Sequence, residues 1–379
     1  MGPLHGFKII EIAGIGPTQF CGMLLADMGA QVIRLDRPHD ADLGIDIPAK
    51  YNLMNRSRPT IEVDLKNKAG VELVLRLCDD ADALFEGFRP GVMERVGLGP
   101  EECMARNERL VYGRMTGWGQ DGPLAESVGH DTNYIALAGA LGSIGDRDRP
   151  PPLPLNLVGD LGGGALYLAM GMLAAMLEAS RSGKGQVVDA AMVDGVASMM
   201  TMFYGLLESN QWADRRQSNL LDGGMPFAQT YETRDGKYIA VCAIERRFFT
   251  ALLDSLGIAE IDPADQYVAD KWDGHKTIFA DTFKSKTRDE WCNLLEGTEA
   301  CVSPVLSMTE VPRHPHNAIR QNFVTIDGIE QPAPAPRFSR TRSGIQHAPT
   351  ESGENIREVL ADWGLTDLDI EAFQSRQAS

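Results

Sequence analysis

A chain of 379 residues with 43% apolar content is long enough to bury the cores of two domains. Its 53 acidic and 36 basic residues leave a formal charge of −17, which opposes binding to polyanions over most of the surface and excludes nucleic acid as an expected partner. The six cysteines, at positions 21, 78, 103, 242, 292 and 301, form no Cys-x-x-Cys pair and no compact disulfide spacing. Met1 to Phe7 lacks a basic stretch followed by an apolar signal segment, and the apolar run 161–177 is too short and too patterned for a membrane span, so a cytoplasmic protein with no membrane partner is expected.

In chain order, Lys8-Ile9-Ile10-Glu11-Ile12 reads as a strand, Gly14-Ile15-Gly16-Pro17 as a turn, Thr18 to Met28 as an amphipathic helix and Gln31 to Leu35 as a second strand. Further strands are expected at 60–65, 83–86 and 110–115, with helices at 68–79 and 89–107 between them. That alternation predicts an α/β fold, a parallel-sheet Rossmann-like large domain. Residues 161–180 and 190–212 read as two long helices split by Ser182-Gly183-Lys184-Gly185. Beyond Asp222-Gly223-Gly224 a hairpin around Arg234-Asp235-Gly236-Lys237 and helices near 246–256 and 288–296 predict a smaller α+β domain. The expected division is 1–190 as the large domain, completed by 325–379; 191–224 as connecting helix and linker; and 225–320 as the small domain. Gln331 to Pro336 reads as an extended connector, followed by a helix near 353–362.

The first turn tests a dinucleotide reading and fails it. Gly14-x-Gly16 lacks the third glycine of the fingerprint, because position 19 is Gln, while Pro17 suits the first position of a helix. No Gly-x-Ser-x-Gly, His-Glu-x-x-His or phosphate-binding Gly-Lys-Ser/Thr loop is present. His314 and His316 flank a proline in an expected loop and read as surface residues, so no metal is expected.

What remains is an imidazole and a carboxylate set among glycines, His130 in Gly129-His130-Asp131-Thr132-Asn133-Tyr134 and Asp160 in Gly159-Asp160-Leu161-Gly162-Gly163-Gly164. Asp160 reads either as the N-cap of the apolar helix that follows or as one of two groups that move a proton between opposite faces of a carbon. These segments, with Leu155-Asn156-Leu157-Val158 and Ser182-Gly183-Lys184-Gly185-Gln186-Val187-Val188-Asp189-Ala190-Ala191-Met192-Val193-Asp194-Gly195, resemble the family III CoA-transferase superfamily, in particular its α-methylacyl-CoA racemase branch.

The resemblance, running from Leu4 to about Arg340, implies the family III CoA-transferase fold and an interlocked homodimer acting on an acyl-CoA thioester. It implies that Arg37, Arg89 and Arg95 meet the CoA phosphates, that Val63, Asp64, Leu65 and Lys66 line the adenine end, and that Gly87 and Phe88 form the turn passed by pantetheine. Gly129, Asp131, Thr132, Asn133 and Tyr134 are implied to border the substrate. His130 and Asp160 are implied to be the two proton-transfer groups, with Glu245 orienting His130. N–H groups at the start of the expected 161–177 helix, including those of Gly162 to Gly164, are placed by helix geometry to meet the enolate oxygen. No cofactor is expected, because CoA enters as part of the substrate. A transferase of the same superfamily would instead use Asp160 as a nucleophile.

Overall fold

The structure, a computed structural model, describes residues 2–38 and 47–377. Two compact units divide the chain. Residues 1–138, 154–199 and 318–379 form the first, and residues 139–153 with 200–317 form the second. Residues 139–153, expected in the large domain, thus belong to the second unit, and the cuts fall at 199/200 and 317/318.

The first unit begins β1 (Lys8–Ile12), α1 (Pro17–Asp27), β2 (Gln31–Asp36), β3 (Thr60–Glu62), α2 (Lys68–Cys78) and β4 (Ala83–Glu86). It continues α3 (Val92–Arg95), α4 (Pro100–Arg106), β5 (Val111–Thr116) and α5 (Asp131–Leu137). A π-helix, Leu157–Ala165, then runs into α6 (Leu166–Ser182), β6 (Val187–Ala191) and α7 (Met192–Met199). Six parallel strands form one sheet in the order β3-β2-β1-β4-β5-β6. Chain order reverses between β1 and β4, and the carboxyl ends of strands at such a switch are where α/β sheets gather ligands.

Strand alternation splits the core into two layers. Ile10, Ile12, Ile33 and Leu35 face a cluster with Leu73, Val74 and Leu77 of α2. Ile9, Val32 and Phe85 face the other, with Cys21 and Leu25 of α1 and Leu168 and Met172 of α6. Local chemistry sets the ends of these helices. Pro17 opens α1, the Asn67 side chain accepts the Ala69 N–H at 2.9 Å to cap α2, and Gly183 in the left-handed region (φ 77°) ends α6.

Several expectations are corrected. The helix expected over 89–107 is two short ones, because Gly97, at φ 82°, and Pro100 break it. Residues 187–191, of which 190 and 191 are expected from the sequence to begin a helix and the rest have no expected element, are the edge strand β6, whose Val187-Val188 start favours extended backbone. The helix expected from 161 begins at Leu157 as a π-helix. The Leu157–Ser182 helical run is long and apolar enough, by length and composition, to cross a membrane. Its inward face, Leu168, Met172, Ala175, Met176 and Ala179, is spent on the second core layer.

The second unit holds α8 (Thr201–Glu208), β7 (Ala228–Glu232), β8 (Tyr238–Cys242), α9 (Arg246–Leu256), α10 (Trp272–Phe283), α11 (Arg288–Leu295) and β9 (Val302–Val305), with α12 (Pro315–Arg320) where the chain leaves it. Its three strands are antiparallel, ordered β7-β8-β9, over an aromatic core of Phe227, Tyr231, Phe249, Phe279, Phe283 and Trp291. Sequence reasoning missed α10 and β9. Back in the first unit, β10 (Phe323–Ile326) and β11 (Ile329–Pro332) form a hairpin, so the start of the expected connector at Gln331 is paired strand. Then α13 (Ile356–Asp362) and α14 (Asp367–Gln377) bury Leu360, Trp363, Ile370 and Phe373 in the first core layer.

Candidate active site

The switch between β1 and β4 positions the candidate groups. Gly16, in the turn after β1, has φ 63° and ψ −106°, and an ideal Cβ there would stand 2.8 Å from Oδ2 of Asp160. Gly87, in the turn after β4, leaves room for Thr18 of α1, whose Cγ2 would be 2.9 Å from a Cβ at Gly87. The two strand-end turns and Asp160 therefore converge at the amino end of α1.

His130 is extended (φ −135°, ψ 174°) at the N-cap of α5, and its side chain is exposed. Its backbone N–H donates to Oδ1 of Asn133 at 3.0 Å. The Tyr134 hydroxyl donates to the carbonyl of Gly129, and its ring meets Trp118 edge-on with centroids 4.7 Å apart. A Cβ at Gly129 would come within 2.9 Å of that ring. The peptide preceding His130 is thus held by a buried tyrosine. Asn133 and Tyr134 thus hold the two ends of the Gly129–His130 peptide, and Thr132 is half-buried in the first turn.

Asp131 has a different task from lining a substrate. Its Oδ2 accepts the N–H groups of Gly159 at 2.7 Å and Asp160 at 2.8 Å, so one buried carboxylate caps the π-helix and ties it to the start of α5. Asp160 is consequently free of the N-cap duty that the sequence left open. Burial foremost pushes its carboxyl above the ordinary range; the Asn156 hydrogen bond lowers it, the Asp131 charge raises it and His130 lowers it. The Asn156 bond runs from Nδ2 to Oδ2 of Asp160 at 3.1 Å. Sequence reasoning gave neither Asn156 nor Gly16 a role. The four-residue separation of Asn156 and Asp160 was the available signal for the first, and the glycine turn after β1 for the second, though nothing local ties that turn to Asp160.

The expectation that Gly162 to Gly164 present N–H groups to an oxyanion is corrected. These residues lie inside the π-helix, and a Cβ at Gly163 would meet Val196 Cγ2 of α7 at 2.6 Å and Met192 O at 3.1 Å, so the glycines serve close helix packing. The donors left over by helix geometry are instead the first N–H groups of α5, those of Asp131 and Thr132, beside His130.

Of the expected CoA residues, Arg37 follows β2, and its N–H donates to Oδ1 of Asp36 at 2.8 Å. Oδ2 of Asp36 is held by Arg34 at 2.7 Å. Phe88 N–H donates to Oε2 of Glu86 at 2.6 Å, which folds the turn carrying Gly87 and Arg89, and Arg95 ends α3. Arg37, Arg89 and Arg95 are exposed, and among the described residues no carboxylate pairs with them. Val63 is buried and Leu65 packs against the first core layer, so in that segment Lys66 carries the exposed side chain, its N–H held by Asp64 Oδ1 at 2.9 Å. Glu245 belongs to the second unit, exposed at the N-cap of α9 with no side-chain capping bond, followed by Arg246 and Arg247.

Glu86 carries a stability prediction. Burial raises its pKa from 4.5 to about 7 against the opposing Phe88 N–H and Arg114. A carboxyl raised on folding stabilises fully below the unfolded value and loses that contribution as pH climbs through the folded one. Glu86→Gln, which keeps an acceptor for Phe88, is expected to flatten the decline of Tm between about pH 5 and pH 8. Thermal melts across that range check it, and an unchanged slope would contradict the assignment.

The profile of CoA-transferase family III matches residues 4–355, and the chain belongs to that family. Within it the chain is 42% identical to the mouse protein named alpha-methylacyl-CoA racemase, over 97% of this chain and 95% of that one. It is 40% identical to the human protein of the same name, over 98% and 96%. Succinyl-CoA–D-citramalate CoA-transferase of Chloroflexus aurantiacus is 28% identical over 99% and 98%. Among solved structures, a CaiB/BaiF family protein from Brucella suis matches with a TM-score of 0.81 and 26% identity, covering 96% of this chain and 99% of that one.

Proposed function

We propose that this protein is an isomerase interconverting (R)- and (S)-2-methylacyl-CoA thioesters, with His130 and Asp160 as the proton-transfer pair. The observation that carries the site assignment is the Asp131 clamp, which fixes the residue after His130 to the backbone of Asp160. The 40–42% identity to proteins named racemases, against 28% to a named transferase, favours isomerisation over CoA transfer. The thioester acidifies its α-hydrogen; one group takes it, an enolate forms, and the other group returns a proton to the opposite face. The enolate oxygen is met by the first N–H groups of α5, at the positive end of its dipole. A carboxyl raised by burial suits this work, because it is a better proton acceptor than an exposed one. Glu245 is assigned by the family resemblance, as the carboxylate that fixes the tautomer of His130. Only protons move, so the reading calls for no cofactor.

Binding of CoA rests on the three exposed arginines, which pair with no carboxylate among the described residues and are local cations in a protein of net charge −17. Arg37→Ala is expected to weaken CoA and acyl-CoA binding by similar factors, about 10-fold or more, since charge-assisted hydrogen bonds contribute roughly 1.5–3 kcal/mol. Calorimetric titration checks it, and unchanged affinity in the Arg37, Arg89 and Arg95 variants would remove the pocket. Self-assembly into a homodimer is part of the same proposal, supported by exposed Leu157, Leu166, Met170 and Leu177 on one helical run. A cytoplasmic location accords with the thiol set. The reading is tested by incubating one pure epimer of a 2-methylacyl-CoA without any carboxylic acid and resolving the products on a chiral column. Formation of the other epimer is expected; a strict requirement for an acceptor acid would point to the transferase.

A further inference from the structure

We propose that Cys242 and Cys301 are a reversible thiol–disulfide pair at the base of Glu245. The inference comes from strand register. In the antiparallel pair β8–β9, Val241 faces Val302, so one step further places Cys242 opposite Cys301, and the Cys242 N–H donates to the Cys301 carbonyl at 3.0 Å. Cys301 stands just before β9 and keeps this one bond to Cys242; residues opposed across an antiparallel pair have Cα atoms about 4.5–5.5 Å apart, inside the roughly 4.4–6.8 Å that a disulfide spans. Val241 and Ala243 are buried, so alternation turns Cys242 to the outer face, where it is exposed and Cys301 is half-exposed. Cys21, Cys78 and Cys103 are by contrast buried in the first unit.

Glu245 follows Cys242 by three residues, and its charge reaches the second sulfur. The Cys301 thiol is pushed above its ordinary value by burial first, then by the Glu245 carboxylate, then by Cys242, which places all three in one patch of the second unit. Cys301 also has φ 54°, a left-handed backbone uncommon for a side chain other than glycine, Asn or Asp. A bond between the two sulfurs would tie this backbone to the end of β8, immediately before the N-cap of α9.

The chemistry needs a hydroperoxide as oxidant. The exposed Cys242 thiolate attacks a peroxide oxygen, the O–O bond breaks, and an alcohol or water departs as Cys242 becomes a sulfenic acid. The Cys301 sulfur then displaces the hydroxyl from that sulfenic sulfur. Two thiols and one peroxide thus give one disulfide, one water and one alcohol or second water. Two molecules of a small thiol restore both groups by exchange and leave as their own disulfide.

The test uses the full-length protein treated with stoichiometric hydrogen peroxide, digested without reduction and mapped by mass spectrometry. A Cys242–Cys301 linked peptide, two hydrogens lighter than its parts, is expected, reversed by dithiothreitol and absent in Cys301→Ser. Oxidation of Cys242 to sulfinic acid while Cys301 remains a free thiol would overturn the proposal. Its consequence for turnover rests on the racemase reading. Peroxide is expected to remove racemisation in step with the linked fraction in the wild type and to leave Cys301→Ser active; equal inactivation of both would overturn the regulatory role. A protein that forms the linkage and never racemises would sink the racemase reading and leave the thiol pair standing.

Discussion

Asp160→Asn is expected to lower interconversion of the two epimers by about 10²- to 10⁴-fold while CoA binding persists, the range for loss of a positioned acid or base. The amide cannot carry the proton, yet it fills the same space and can still accept the Asn156 bond. Stability supplies the control. Because burial raises the carboxyl of Asp160, its favourable contribution is present below the unfolded value of 3.8 and lost as pH rises through the folded one, so at neutral pH the neutral amide should melt no lower than the wild type. Full activity in the variant would remove Asp160 from the chemistry, whereas a collapsed Tm would make its role structural.

Gly16→Ala is expected to cost on the order of 10²-fold in kcat, with a smaller change in CoA affinity, because displacing a reacting group by about 1 Å carries that penalty. Two effects act at one atom. The added Cβ falls 2.8 Å from Asp160 Oδ2, so the carboxylate must move, and φ 63° with ψ −106° is a conformation that only glycine holds without strain. The side chain of Asp160 can rotate, whereas the turn is anchored by Pro17 and the buried α1. Steady-state kinetics with a Tm measurement separates the parts. A large fall in Tm with normal kcat would mean that backbone strain alone matters and that the carboxylate tolerates displacement.

The parallel sheet was legible because each strand carries a dense apolar run and each intervening helix its own period; Lys8–Ile12 and α9 fall where expected. Pairing at long range was not. Strand β6 gains its place only by pairing with β5 across 70 residues of intervening chain, and β9 pairs with β8, which ends 60 residues before β9 starts, distances no local pattern encodes. The site divides in the same way. His130 and Asp160 stood out as a titratable pair among glycines, and the resemblance gave them roles. The Asp131 clamp and the fit of Gly16 against Asp160 depend on the approach of segments that the sequence separates, and the resemblance, which placed Val63 at the adenine end with its neighbours, does not tell which side chains of that segment face the core, as Val63 does.

The central claim, two proton-transfer groups working on opposite faces of one carbon, is met most directly by solvent deuterium. A single epimer of a 2-methylacyl-CoA incubated with the protein in D₂O is predicted to yield the opposite epimer carrying deuterium at the α-carbon, in the absence of any acceptor acid. Asp160→Asn and His130→Ala are each predicted to slow formation of that product by about 10²- to 10⁴-fold. Epimer that inverts with its α-hydrogen fully retained, or an α-carbon that never exchanges while CoA passes to an added carboxylate, would contradict the account.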